Sequence, residues 1–438
     1  MKRSFITTLA LALAISANAQ TIDGKPEVRT EILNRLTTRI ENSAFVPGID
    51  FKKWDEFLQN ERAKIDEAKN DDEFKIAINT ALKKFGFSHI VLATPKDANV
   101  RNTGQTTGIG ISSQASPDGI GRIIIRVVEK SPASEAGLEV GDTLLEVDGK
   151  KIDDKTIMTG DAGTKVKIKI KKATGKTFEY TITRRPFSTV RKDEFKMLNN
   201  ATGYLKINTF DRAYNSKVID EYMKDAVKAK NLVVDLRFNG GGAVFNLQHF
   251  AGYFVDPKLK LGYMLDRSSL TKFKKGENRE PANLAELTPF ANPMIMTPTK
   301  ADLQFKGNLI VLINAGTGSA SEIFTAAMRD LYGKKTVDKD GNITTDTSNV
   351  SVTVIGSKSA GAVLFSTFTD ASNGFALQIP IADYLTPSAG RLEGNPIVPD
   401  VLAEDPKILL PSVPDKAIEA ALAIVERIRL RDTRAIGS

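Results

Sequence analysis

The 438-residue chain contains no cysteine. That excludes disulfides, thiolate metal sites, a cysteine nucleophile and lipidation of an N-terminal cysteine. Histidine is nearly as scarce: only His89 and His249 occur, and two isolated histidines make no convincing metal site. No metal or other cofactor is therefore expected. Long apolar runs are missing too. The stretch from Phe5 to Ile15 falls well short of the ~20 residues that a membrane span needs. There is no block of one charge sign: the 61 basic and 53 acidic side chains are interspersed, as in KKWDEF and NERAKIDEAKNDDEF. Such a mixture reads as solvated surface, and no nucleic-acid partner is expected. Low-complexity tracts and internal repeats are absent as well.

What is present is the composition of a soluble protein of two or three domains, 41% hydrophobic and 26% charged. Lys2 and Arg3, the apolar stretch after them and the small residues Ala17-Asn18-Ala19 form a secretory signal peptide, residues 1–19, cut after Ala19. Export without disulfides suits a bacterial periplasm or exterior better than a eukaryotic secretory route.

The mature chain changes texture twice. Residues 20–103 carry apolar side chains at three- and four-residue spacing: Ile32, Leu36 and Ile40, then Trp54, Phe57 and Leu58, then Phe74, Ile76, Ile78 and Leu82. A small helical bundle broken at Pro47-Gly48 is expected there. Residues 104–187 are a β-rich domain: GRIIIRVVEK and the alternating KVKIKIKK read as strands, SPASEAGL as a short helix, and Asp148-Gly149 as a hairpin turn. Residues 188–438 alternate strands (YLKINTF, NLVVDLRF, NLIVLIN) with helices (SKVIDEYMKDAVKAK, SEIFTAAMRDL), which argues an α/β layer with a mostly parallel sheet. DKDGNITTDTSNV reads as a surface hairpin or loop, and AIEAALAIVERIRL as a closing amphipathic helix.

Three places carry chemistry. In NAGTGSASEIF a Gly-rich turn joins a buried strand to a helix, a setting that holds a serine hydroxyl out of the sheet with the positive end of a helix behind it. Ser319 is the candidate nucleophile, although Ser319 or Ser321 would equally serve as a plain N-cap. In DLRFNGGG three glycines after a second buried strand let backbone N–H groups approach a developing oxyanion, unless they merely make a tight turn. The nucleotide-binding patterns do not fit this loop. Of the histidines, His249 sits among apolar residues in FNLQHFAGYF as a packing residue. His89, beside Ser88 at an element junction, is the better general base.

DLRFNGGG, NAGTGSASEIF and VIGSKSAGAV together resemble the C-terminal processing (tail-specific) serine peptidases. The TGIGI run at Thr107–Ile111, with SPASEAGLEVGDTLLEVDGKKI, is similar to their PDZ signature. The resemblance implies a multidomain α+β fold: an N-terminal helical bundle, a PDZ-like β-rich domain and an α/β core of the crotonase-like type. Members with a Ser-Lys dyad carry its lysine in a G-x-x-T-x-G-K-G stretch. Here that position is Ala362, and Lys358 matches a different place in the pattern. A second branch, similar to the tricorn core peptidase, pairs a Ser-His dipeptide with the nucleophile and a late glutamate. Ser88-His89 and Glu393, in RLEGNPIVPD, match those places. The resemblance thus implies peptide cleavage by Ser319 with His89 as base, and Ser88 and Glu393 in support. Gly241 and Ala320 N–H groups would form an oxyanion hole, and Gly108, Ile109, Gly110 and Ile111 a loop for peptide C-termini. A non-catalytic peptide- or lipid-binding protein on the same fold is the alternative.

Overall fold

The computed structural model describes residues 22, 25–152, 158–295, 301–333, 336–337, 343–344, 352–406 and 410–436. The expected signal peptide lies outside them. Among the described residues no helix is long and apolar enough to cross a membrane. The chain divides into two compact units, residues 1–102, 265–290 and 364–383, and residues 103–264, 291–363 and 384–438.

The first unit forms where apolar side chains repeat at helical spacing. Helix Pro26–Ser43 buries Val28, Ile32, Leu33, Leu36 and Ile40 along one stripe. Helix Asp71–Lys83 starts at Asn70, whose side chain accepts the Glu73 N–H at 2.9 Å, and buries Phe74, Ala77, Ile78, Ala81 and Leu82. Ile76 departs from expectation: it is 64% exposed. Two residues beyond Phe74 is about 200° around a helix, so Ile76 faces away from the stripe that Phe74, Ile78 and Leu82 share. Trp54 is fully buried and donates its indole N–H to Thr37 Oγ1 at 3.0 Å. This unit is not purely helical. Strand Val91–Ala93 pairs antiparallel with Ala376–Leu385, which pairs with Leu364–Asp370, and Ala371, Phe375, Leu377 and Ile379 join the helical core.

The second unit holds two larger sheets. In the first, strands run in the order Ile111–Ala115, Arg122–Val127, Thr143–Val147, Lys165–Lys171, Thr177–Thr183, with Lys150–Lys151 also paired to Thr143–Val147. Period-two alternation decides the faces: Val166, Ile168 and Ile170 enter the core with Ile124, Leu144 and Ile182, while the intervening lysines point out. Asp148 (φ 48°) and Gly149 (φ 76°) make the left-handed two-residue turn that a hairpin twist favours.

The second sheet runs Glu194–Asn199, Thr202–Lys206, Asn231–Asp235, Asn308–Ile313, Val352–Gly356, Val401–Leu402; only its first pair is antiparallel. Its central strands are buried on both faces, hence their continuous apolar sequence. Val233, Ile310, Leu312 and Ile355 pack with Ala417, Ala421 and Ile424 of helix Lys416–Ile436. Strand alternation turns Leu232, Val234, Leu309 and Val311 to the opposite face. Helices Val244–Ala251 and Ala320–Tyr332 pack on each other through Phe250 and Phe324, ring centroids 5.0 Å apart. Of the polar DKDGNITTDTSNV stretch, Ile343–Thr344 is described and pairs with Thr336–Val337 as a short hairpin.

Candidate active site

Parallel strands deliver their C-terminal ends side by side, and the loops leaving them are where an α/β sheet builds a site. Two such loops follow the adjacent strands Asn231–Asp235 and Asn308–Ile313, and short hydrogen bonds zip them together. Asn314 Oδ1 accepts the N–H groups of Phe238 (2.9 Å) and Gly316 (3.0 Å). Thr317 Oγ1 donates to Leu236 O at 2.9 Å, and Gly318 N donates to Asn239 O at 3.1 Å.

The first loop is anchored from below. Asp235 is fully buried and accepts from Arg237 Nη2 (2.8 Å), Tyr204 Oη (2.7 Å) and Lys206 Nζ (3.2 Å). Arg237 also donates to both carboxylate oxygens of Asp415, at 2.9 and 2.7 Å, just before the C-terminal helix. Burial by itself would raise the Asp235 carboxyl, but the Arg237 bonds and the Lys206 charge outweigh it and hold the group down to about 2.

The second loop ends at Ser319, which takes φ 52° and ψ −120°, a backbone region that non-glycine residues rarely occupy. Helix Ala320–Tyr332 starts immediately after it. Gly241 lies against this turn: a Cβ built on it would stand 2.7 Å from both Ser319 Cβ and Ala320 N. The Gly241 N–H donates to Asn239 Oδ1 at 2.9 Å. Ser319 is half-buried, whereas Ser321 is fully buried and its Oγ has no hydrogen-bond partner among the described residues.

A third segment, residues 359–363, closes over the turn. Ala362 O accepts the Ser319 N–H at 3.0 Å, and Glu393 Oε2, in a nearly buried side chain, accepts the Val363 N–H at 2.7 Å. A further carboxylate, absent from the sequence candidates, also enters here. Glu322, fully buried, accepts from Ser359 Oγ, Gly361 N, Ala362 N and Ser319 N. Its signal was the Ser-x-x-Glu spacing of a capping box. Burial pushes its carboxyl above the usual range, against the pull of those four donors.

The structure therefore brings Ser319, Ala320, Gly241 and Glu393 into one neighbourhood of the second unit. Ser88 and His89 lie together in the first unit, between helix Asp71–Lys83 and strand Val91–Ala93, with Ser88 Oγ 2.6 Å from His89 Nδ1. His89 has φ 60°. His249 sits on helix Val244–Ala251 between Tyr214 Oη (2.7 Å from Nδ1) and Tyr253 Oη (3.2 Å from Nε2), with Asp220 Oδ1 3.3 Å away. In the β-rich domain Ile109 O and Gly110 O accept the N–H groups of Ala133 and Val128, both at 2.8 Å. Gly110 (φ 87°) packs so closely on Ser131 that a Cβ would stand 2.2 Å from the serine Cβ. Strand Ile111–Ala115, next in sequence, lies at the edge of its sheet.

Residues 201–342 and 347–403 match the family described as peptidase family S41, and residues 123–172 match the PDZ domain. Over those residues the chain is similar to peptidase family S41. Among curated relatives it is 24% identical to carboxyl-terminal-processing peptidase 3, chloroplastic, of Arabidopsis thaliana over 81% of this chain, and spans 65% of that protein's length. It is 26% identical to a carboxyl-terminal-processing protease of Synechocystis, covering 82% of this chain and 78% of the relative. The fold matches a solved Bacteroides fragilis protein assigned to the S41 proteases, with TM-score 0.57, 14% identity, and 90% of this chain and 97% of the other covered. The S41 match takes in Ser319, Ala320, Gly241, Ala362 and Glu393; Ser88 and His89 lie outside it, and Gly108–Ile111 lie outside the PDZ match. Ala362, whose carbonyl oxygen accepts the Ser319 N–H, carries no titratable side chain, and Lys358 is exposed.

Proposed function

We propose that this chain is an exported serine peptidase that cleaves peptides or unfolded protein tails, with Ser319 as nucleophile and His89 as general base. The observation that carries the reading is the Ser319 turn. A half-buried serine at φ 52° and ψ −120°, ahead of a helix and against a glycine, is strain placed where a nucleophile needs presenting. Ser321, buried inside the helix, has no path to a substrate.

In the proposed reaction Ser319 Oγ attacks the peptide carbonyl carbon while its proton passes to His89 Nε2. The C–N bond then breaks, and the imidazolium returns that proton to the leaving amine. Water, activated in turn by His89, hydrolyses the acyl-enzyme. The Ser88 contact to Nδ1 supports Nε2 as the reacting nitrogen. The reading needs Nε2 within about 2.6–3.2 Å of Ser319 Oγ during catalysis. The Ala320 N–H, first in its helix and without an intrahelical acceptor, is the leading oxyanion donor. The Gly241 N–H would join it by sharing or leaving Asn239 Oδ1. Glu393 would support the histidine side of the site.

The edge strand Ile111–Ala115 and the loop Gly108–Ile111 support peptide capture by strand addition in the PDZ domain, with the C-terminal carboxylate held at the loop. The signal-peptide sequence supports export to a bacterial periplasm or beyond. The test is cleavage of an unstructured protein together with labelling by a serine-directed phosphonylating probe. Wild type should cleave and carry the label on Ser319, and Ser319→Ala should do neither while keeping its fold. A Ser319→Ala protein that cleaves normally would refute the assignment. A folded wild type with neither activity nor label would leave a peptide-binding protein.

A further inference from the structure

We propose that Glu322 is a positioning residue for Ser319, and that its carboxylate locks the strained nucleophile turn to the segment that holds Glu393. The proposal rests on the reading of Ser319 as nucleophile.

The geometry exceeds what a helix cap requires. In a capping box one glutamate oxygen reaches back to the N-cap N–H, and Glu322 Oε2 does this to Ser319 at 3.2 Å. Here that same oxygen also accepts the Ala362 N–H at 3.0 Å, while Oε1 accepts Ser359 Oγ at 2.5 Å and the Gly361 N–H at 2.8 Å. All four partners donate, and among the described residues Glu322 has no ion pair. A fully buried carboxylate without a counter-ion is costly, and donors converging on both oxygens offset that cost.

Each donor leads to the site. The Ser319 N–H is shared between Glu322 and Ala362 O, so the serine's backbone is held from its own helix and from the segment above. Ser359 Oγ accepts the Ile397 N–H at 2.7 Å, and Gly361 O accepts the Gly394 N–H at 2.9 Å. The next residue in the segment, Val363, donates to Glu393. Ser319 and the Glu393 loop are thus tied through one carboxylate. Without it the turn can relax out of its rare φ/ψ region, carrying Ser319 Oγ and the Ala320 N–H with it.

Glu322→Gln separates this role from simple capping. Glutamine serves in a capping box as glutamate does. It cannot serve here, because its NH2 must face N–H donors on one of the two oxygen positions. The expected result is a melting temperature near wild type and KM within about threefold. kcat per titrated active site should fall roughly 10–100-fold, the scale of lost hydrogen bonds to a charged group. The phosphonylation rate of Ser319 should fall in parallel. Ser359→Ala removes one donor and keeps the carboxylate, so a smaller loss, of about 3–10-fold in kcat, is expected. A folded Glu322→Gln enzyme with kcat within twofold of wild type overturns the proposal. So does a loss that lies wholly in the number of titratable sites, each still working at the wild-type rate. Should Glu322→Gln not fold, Ser359→Ala decides: unchanged kcat overturns the proposal, and a per-site loss supports it. A wild type unlabelled at Ser319 removes the nucleophile reading itself, an outcome distinct from all of these.

Discussion

Ser319 and Ser321 are two residues apart and chemically identical, yet their surroundings give them opposite consequences. Ser321 Oγ is buried without a hydrogen-bond partner among the described residues, so Ser321→Ala removes a desolvated hydroxyl and leaves no new void of consequence. Its stability should be unchanged or higher by up to about 1–2 kcal/mol, with activity retained, as denaturant unfolding and a cleavage assay can measure. A marked loss of stability would mean that the hydroxyl has a partner in solution. The base is testable at the same scale. Histidine accepts a proton only when neutral, so activity should rise through one acid limb and persist at mildly alkaline pH. His89→Ala should lose nearly all activity with its fold intact by circular dichroism. Lys358→Ala, changing an exposed side chain, should keep most of it. The reverse pattern would revive a lysine mechanism.

At the scale of elements, the DLRF segment is tied down by Arg237, which joins the end of strand Asn231–Asp235 to the start of the C-terminal helix. Arg237→Ala leaves the buried Asp235 charge with only Lys206 and Tyr204 and frees Asp415, and a loss of roughly 3 kcal/mol is expected from urea unfolding. A loss below about 1 kcal/mol would show that the clamp is incidental. The same pair sets an acid response. The folded Asp235 carboxyl is held at about 2, below its unfolded value of ~3.9. Its contribution is therefore fully present above pH ~4 and is lost as pH falls toward 2. Denaturant midpoints measured between pH 5 and 2 should fall less steeply in Arg237→Ala, where that downward pull is weakened.

At the scale of the whole molecule, the PDZ reading concerns how substrate reaches the protein. The full-length Ser319→Ala chain, which on the proposed reading cannot consume its ligand, should bind unstructured peptides with a free C-terminal carboxylate. Amidating that end should weaken binding by roughly tenfold or more, through loss of a charge-assisted partner, as read by fluorescence anisotropy. Equal affinity for both forms would show that the domain reads something other than a C-terminus.

Features governed by neighbours along the chain were legible in the sequence: the alternation of Lys165–Lys171, the left-handed turn at Asp148-Gly149, the buried strands ending at Asp235 and Ile313, and the serine turn between strand and helix. Each follows from side-chain period or backbone sterics within a few residues, and side-chain chemistry alone marked Ser319 and His89 as candidates. The tertiary structure decided the rest. It turned Ile76 outward, because a helix has one buried stripe and Ile76 is off it. It drew residues 364–383 into the N-terminal unit through a strand pair that no local pattern announces, and residues 265–290 join the same unit. It gathered on Glu322 donors that lie up to forty residues away. A hydrogen bond between distant segments depends on where the chain returns in space, and the residue types at its two ends do not encode that return.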